Sequence, residues 1–336
     1  MSDDRQAIPL PWQRSDWQRL MQLFARDRLP HALLLAGGNG LGKGHFADML
    51  AAKLLCEAPE QVAEGNVACG QCHGCRMRRA GYHPDLLNIP APDLGRLIRI
   101  DAIRGINAFL SETAQQGGYR VVRIEGVEAM TIGAANALLK NLEEPGTRTL
   151  FLLLSDVPSR IMPTIMSRCQ KFAFTPPSYA ECHDWLLQHV ADEQDARFWW
   201  QVAGGMPLAA VAQATPEARQ LRQRLTELFD ALVRGGDPVA EAARLDRQQL
   251  SAILEYGIRW LEDVVRLGLS GEAEELRNTD MLPLYRQAVK NARVRDWFRL
   301  LDYAREQRRL IAQGNNPNPQ LVLESWLIRW SALLRS

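Results

Sequence analysis

The chain has 336 residues, 46% hydrophobic and 24% charged, with 40 basic against 39 acidic side chains. That is enough apolar material for two or three packed domains, and too even a balance for a protein that grips nucleic acid across its own surface. No apolar run approaches the roughly 18 residues of a membrane helix. The polar N-terminal stretch MSDDRQAIPLPWQRSDW lacks the basic and apolar regions of a secretory signal, so the expected compartment is the cytoplasm.

In chain order, Trp12, Trp17, Leu20, Met21 and Phe24 recur at helical spacing within residues 1–30. His31-Ala-Leu-Leu-Leu-Ala36 is a short apolar run bounded by glycines, as a buried parallel strand requires. Gly37-Gly-Asn-Gly-Leu-Gly-Lys-Gly44 follows as a turn, and Phe46, Met49, Leu50 and Leu54 mark the next helix. Residues 56–85 interrupt the alternation with cysteines. Strands are then predicted at Asp85–Ile89, Tyr119–Ile124 and Leu150–Leu154, with a helix at Ala134–Leu142. Such alternation predicts a parallel sheet covered on both faces. Thr175-Pro-Pro177 reads as a boundary, and residues 178–210 as a small helical segment ending in Gly204-Gly-Met-Pro207. Beyond Thr215-Pro216 the pattern is helical throughout. Leu221, Leu225, Leu228, Phe229 and Leu232 share one face, Gly235-Gly-Asp-Pro238 breaks it, and further helices are predicted through 248–267 and 292–312. Asn318-Pro319 supplies a cap and first turn for Leu321–Leu334.

Gly37-x-x-x-x-Gly42-Lys43 fills the first seven positions of the phosphate-loop pattern, in which backbone amides converge on phosphates and the lysine reaches the terminal ones. A glycine-rich turn between strand and helix is otherwise only a tight connection; Lys43 in register favours phosphate-loop ancestry. The eighth position, whose hydroxyl holds magnesium, is Gly44. A second loss agrees. After Val121-Val-Arg-Ile124, Glu125 stands where magnesium normally meets an aspartate, and Gly126 where an ATPase needs the glutamate that orients water. The site is not expected to hydrolyse ATP, and Lys43 leaves weak ATP binding open.

Six cysteines occur, four of them as Cys56-x12-Cys69-x2-Cys72-x2-Cys75. In a chain of this size without a secretory signal, that spacing favours metal over disulfides. Four thiolates close a tetrahedral structural zinc site with no open position, against the alternatives of a redox pair, an iron–sulfur cluster or a chance cluster. His73 lies between ligands but is not needed. Cys169 and Cys182 are isolated and read as packing residues.

Asn136-Ala-Leu-Leu-Lys-Asn-Leu-Glu-Glu-Pro145 resembles the NALLKxLEEP signature of the clamp-loader branch of the AAA+ ATPases, and Pro163-Thr-Ile-Met-Ser-Arg-Cys169 resembles its TIxSRC segment. Leu29-Pro-His-Ala32 and Asn316-x-Asn318-x-x-Leu321 are similar to further family segments, so the resemblance spans nearly the whole chain. It implies a AAA+ arrangement: an α/β domain over 1–176 with the zinc insert at 56–85, a helical lid over 177–212, and a helical collar over 213–336. The family's ATPase type, gamma/tau, has a full phosphate loop, an acidic pair, and a lid arginine where this chain has Leu208. This chain departs at each of those positions and resembles instead the stator-like subunit type, which keeps the SRC arginine. By that resemblance it joins gamma/tau and delta subunits in a ring that places the sliding clamp on primed DNA for DNA polymerase III. Arg168 would then act in trans on a neighbour's ATP, the alternative being a helix-end arginine held in a local salt bridge.

Two rival functions stand beside this one: a gamma-like ATPase with relaxed loop chemistry, and a free-standing zinc-dependent DNA-binding module. Arg76, Arg78 and Arg79 beside the cysteines would serve the latter, although so short a run more often marks a solvated face. His31, His83 and His183 lack the spacing of a catalytic or ligand set, and the nine tryptophans read as core and interface residues.

Overall fold

The strands are made by short apolar runs that are buried on both sides. A computed structural model of the chain describes residues 8–58, 66–93, 96–111, 114–116, 118–273, 276–312 and 317–335. The described residues within 8–92, 97–189 and 206–209 belong to one compact unit, and Asp93, Arg96 and the described residues within 190–205 and 210–335 to a second. The segment expected as a lid is therefore divided between the two units.

In the first unit, a 3₁₀ turn at Pro11–Gln13 leads into α1 (Arg14–Ala25), β1 (Ala32–Ala36) and α2 (Lys43–Leu54). Next come α3 (His73–Arg79), β2 (Leu86–Ile89), α4 (Ile100–Ser111), β3 (Arg120–Glu125) and α5 (Ile132–Glu143). β4 (Thr149–Ser155), α6 (Pro163–Met166), β5 (Gln170–Ala173) and α7 (Tyr179–Leu187) complete it. All strand pairings are parallel, in the order β2-β3-β4-β1-β5. Alternate residues serve opposite faces: Leu33, Leu35, Leu150 and Leu152 pack with α1 and α2, whereas Leu34, Phe151 and Leu153 pack with α4 and α5. β1 and β4 have no solvent face at all, which is why they read as unbroken apolar runs.

The strand order positions a ligand site. The chain leaving β1 runs towards β2 at one edge of the sheet, whereas the chain leaving neighbouring β4 crosses to β5 at the other. Loops diverging from adjacent parallel strands open a crevice at their carboxyl ends, the usual place for ligands in such sheets. The glycine loop lies there.

The second unit contains α8 (Glu193–Val202), the later part of α9 (Pro207–Gln213), α10 (Pro216–Val233), α11 (Pro238–Ala243), α12 (Leu250–Ser270), α13 (Leu282–Asn291), α14 (Val294–Ala312) and α15 (Pro319–Leu334). The predicted apolar face of α10 is buried at all five positions. Phe229 meets Trp260, Trp326 and Trp330 at ring-centroid distances of 4.9, 5.7 and 4.3 Å. Asn318 caps α15 by accepting the N–H groups of Gln320 and Leu321; Asn316 lies outside the described residues. Asp263, fully buried, accepts the N–H groups of Arg277 and Asn278, the Asn278 side-chain amide, and Arg266. Among the described residues, no helix is long and apolar enough to cross a membrane.

Candidate functional sites: a cysteine knuckle and a glycine loop

The insert brings Cys56, Cys69, Cys72 and Cys75 together with all four sulfurs within 4.8 Å of one another. Cys56 and Cys72 are 3.9 Å apart, and Cys69 and Cys75 are 4.0 Å apart. Four sulfurs at zinc–thiolate bond lengths around one ion would be spaced about 3.8 Å, so the set is already close to tetrahedral metal geometry. The backbone prepares it. Cys69, Cys72 and Cys75 donate their N–H groups to the sulfurs of Cys56, Cys69 and Cys72 at 3.3, 3.3 and 3.4 Å. Glu57 accepts the N–H of Gly74 and fixes the turn into α3.

These contacts set the thiol chemistry. Burial opposes ionisation of Cys69, but the N–H groups of Gln71 and Cys72 and the adjacent thiols outweigh it and hold its pKa at about 7. Burial pushes Cys56 up, and burial together with the Cys72 side chain pushes Cys75 up. Without a metal, two of the thiols therefore resist ionisation at neutral pH, and a bound cation is what would deprotonate them. The donor set is one that can hold a single metal ion, and it is compatible with zinc. By contrast, burial raises isolated Cys169 and Cys182 to about 11, and the Cys182 thiol donates to the Ser178 and Tyr179 carbonyls, as packing residues would.

At the other site, Lys43 opens α2 directly after Gly42, whose φ of 86° places it in the left-handed region. Lys43 is only 6% exposed, and its Nζ donates to the Gly38 carbonyl at 2.8 Å and pairs with Asp156 at 2.6 Å. The loop is covered from two directions. Gln13, fully buried, donates to the Leu41 and Gly42 carbonyls at 3.0 and 2.9 Å, and the Trp12 indole donates to Leu41 at 3.0 Å. From the other side, the Leu208 N–H donates to the Gly40 carbonyl at 3.1 Å. A Cβ on Gly38 would stand 2.8 Å from the Met206 sulfur, and one on Gly40 would stand 2.5 Å from Ala209 Cβ. Gly44 carries no hydroxyl; a Cβ there would stand 3.2 Å from Arg123 Nη2. Gly37 closes onto β4, donating to the Ser155 carbonyl.

Glu125 ends β3 and is bonded by Arg123 at 2.6 Å, whose other terminal nitrogen pairs with Asp48 at 2.5 Å. Residue spacing does not single out Asp156, Arg123 or Gln13. The only signal for Asp156 is its place one residue past a buried strand, and it becomes informative only once that strand is known to neighbour β1. Arg168 follows α6 and is about one-third exposed. Its Nε and Nη2 both bond Glu143 Oε1, at 2.8 and 2.5 Å, while Nη1 donates to the Thr164 carbonyl and Ser167 hydroxyl. Arg79, beside the cysteines, donates to the Gly70 carbonyl.

Comparison with known proteins gives a consistent answer along the chain. The family described as DNA polymerase III, delta subunit, matches residues 12–178, and its C-terminal counterpart matches residues 216–332. A DNA polymerase III subunit delta' from Pseudomonas aeruginosa is 34% identical over 328 residues, covering 96% of this chain and 97% of the relative. The subunit of that name from Escherichia coli is 34% identical over 76% of each chain. A crystal structure of a gamma subunit-related protein from Thermotoga maritima covers 94% of this chain and 99% of its own at 19% identity, with a TM-score of 0.45.

Proposed function

The chain belongs to the delta-prime subunit family of DNA polymerase III, and from that premise we propose that it is the silent, stator-like subunit of a clamp loader. It occupies a place in a ring with gamma/tau ATPase copies and a delta subunit in the cytoplasm. That ring opens a sliding clamp and sets it on primed DNA. The observation that carries the silent reading is a paired loss: Gly44 in the glycine loop brings no hydroxyl to a metal, and Gly126 after β3 brings no carboxylate to an attacking water. The purified chain is expected to show no ATP turnover above background. Turnover that disappears in Lys43→Ala would overturn the reading in favour of a gamma-like ATPase.

The subunit's positive contribution to catalysis is Arg168, offered to the nucleotide of the adjacent subunit. Its planar guanidinium lies at the surface and already holds one carboxylate oxygen of Glu143 through two nitrogens; in the ring it exchanges Glu143 for phosphate oxygens, one anion for another. Arg168→Ala is expected to leave assembly intact while lowering clamp- and DNA-stimulated ATP hydrolysis by the reconstituted complex. The loss should be well below the roughly 10³–10⁵ of a single-site finger, since one site among several is affected. Arg168→Lys should rescue poorly, because an ammonium lacks the planar fork. Wild-type hydrolysis and loading by a normally assembled alanine variant would remove the finger from the account. Cys56, Cys69, Cys72 and Cys75 hold a structural zinc ion that supplies local folding energy and no chemistry.

A further inference from the structure

We propose that the glycine-loop site is kept empty by two internal charges, with the Asp156 carboxylate standing in for a phosphate on Lys43 and the Arg123 guanidinium standing in for the metal ion. This rests on reading the loop as a degenerate phosphate loop, and it goes further. The losses at Gly44 and Gly126 remove chemistry, but neither removes the lysine or the loop amides that would bind a nucleotide. The two ion pairs are what would oppose binding.

The phosphate half is built by the sheet. β1 and β4 pair in register up to Ala36 and Ser155, so the loop after β1 and residue 156 emerge side by side. Asp156 is fixed there from behind: Glu128 Oε1 accepts the N–H groups of Asp156 and Val157 at 3.0 and 3.3 Å. Its carboxylate then meets Lys43 Nζ at 2.6 Å. The lysine's other partner is the Gly38 carbonyl of the loop itself. An incoming phosphate would have to displace a carboxylate that is tethered in place, and even flexibly tethered groups compete as if present at mM concentration.

The metal half has the opposite sign. Arg123 projects from the middle of β3 between Asp48 on α2 and Glu125 at the strand's end, pairing at 2.5 and 2.6 Å with a side chain only 14% exposed. Glu125 is at the position where a metal-binding carboxylate belongs, and Gly44 is where the metal-binding hydroxyl belongs. A Cβ at 44 would meet Arg123 Nη2 at 3.2 Å. A hydroxyl restored at 44 would therefore face a guanidinium instead of an open metal position. A carboxylate on the lysine and a cation between the acids reproduce the charge layout of a bound magnesium nucleotide from within the chain.

Calorimetric titration of the full chain with ADP, with and without magnesium, tests both halves. Asp156→Asn keeps the size and an oxygen for Lys43 but removes the charge. It is expected to bind ADP at least tenfold more tightly than the wild-type chain, equally with and without magnesium. Adding Lys43→Ala should abolish the gain. Adding Gly44→Ser to Asp156→Asn should leave binding indifferent to magnesium, and adding Arg123→Gln as well should make it magnesium-dependent. An Asp156→Asn chain with a wild-type melting curve and wild-type ADP affinity would overturn the phosphate half. Magnesium dependence gained by Gly44→Ser alone, or still missing after Arg123→Gln, would overturn the metal half. Either result leaves the absence of turnover standing. A gain in Asp156→Asn that survives loss of Lys43 would instead refute the phosphate-loop reading beneath both.

Discussion

The cysteine knuckle and the glycine loop are both ligand motifs in the same unit, and they are finished in opposite ways. In the knuckle, every donor converges on one point: four sulfurs lie within 4.8 Å, with backbone N–H groups aimed at them. Burial leaves two of the thiols averse to carrying charge without a cation. In the loop, every charge has already found a partner, with Lys43 on Asp156 and Arg123 on Asp48 and Glu125. One site gathers donors that can hold a metal ion, and the other has its charges already paired. A motif's spacing therefore says less about occupancy than does the pairing of its polar atoms.

The largest effect should come from breaking the knuckle. Structural zinc in small thiolate sites supplies an apparent 10–16 kcal/mol of coupled binding and folding energy, more than most local structure can lose. Cys72→Ser, or strong chelation of the wild type, is expected to release one zinc per chain and open the 56–85 segment to limited proteolysis while the sheet stays folded. Elemental analysis showing no zinc in protein purified without chelators would refute this. Acid should act in the same direction. Cys69 has a folded pKa near 7, below the ordinary thiol value, so its contribution is present above the ordinary value and lost as pH falls through about 7. Cys56 and Cys75, both raised, must give up protons when metal binds. Zinc binding near neutral pH should therefore release at least those two protons, measurable in buffers of different ionisation enthalpy, and zinc affinity should weaken as pH falls.

The contrast also explains which features are legible in the sequence. The knuckle is legible because ligand spacing along the chain is nearly the site itself. β1 and β4 are legible because burial on both faces leaves an unbroken apolar signature. β5 is not, since in Gln170–Ala173 only Phe172 is buried and the strand gives no periodic signal. α4 escapes assignment although Ile103 and Ile106 are fully buried, because its apolar residues follow a stretch without a clear boundary. α11 starts at Pro238, the last residue of what reads as a break, and its six residues are too short for a periodic signal. The pairs Lys43–Asp156 and Arg123–Asp48 join residues 113 and 75 positions apart, and only the strand order makes them neighbours. Glu143 as the partner of Arg168 is hidden in the same way: both residues belong to recognisable segments, but their contact spans 25 positions.

Two glycines sharpen the comparison at the level of the backbone. Gly40 in the loop and Gly81 after α3 both have left-handed φ, at +95° and +85°. A side chain costs roughly 1–2 kcal/mol in that region whatever its surroundings. At Gly81 nothing lies within 4 Å of a new Cβ, so Gly81→Ala should cost only that. At Gly40 the Cβ would stand 2.5 Å from Ala209 Cβ and 2.8 Å from its backbone nitrogen, adding an overpacking penalty of about 1–3 kcal/mol. Denaturant unfolding should therefore rank Gly40→Ala clearly below Gly81→Ala. Equal losses would mean that residues 206–209 do not close over the loop in solution.

The smallest effect is expected at Lys43, and the losses at the two ends of the Lys43–Asp156 pair should be unequal. Lys43 is 6% exposed whereas the Asp156 side chain is 48% exposed. Lys43→Met keeps the buried aliphatic stem and strands only a carboxylate that water already reaches. The Coulomb attraction lost is screened through that open side, so the cost should fall in the range of an exposed pair, about 0–1 kcal/mol. Asp156→Ala does the reverse: it leaves a buried ammonium with the Gly38 carbonyl as its remaining hydrogen-bond partner. A buried charged donor that loses its partner costs about 1–3 kcal/mol, and anions should now be able to take the vacated position. Melting temperatures in phosphate-free buffer should therefore drop more for Asp156→Ala than for Lys43→Met, and added ADP should restore the former and not the latter. Equal drops, or a larger one in Lys43→Met, would mean that the pair is a structural tie and that the carboxylate is no substitute for a ligand.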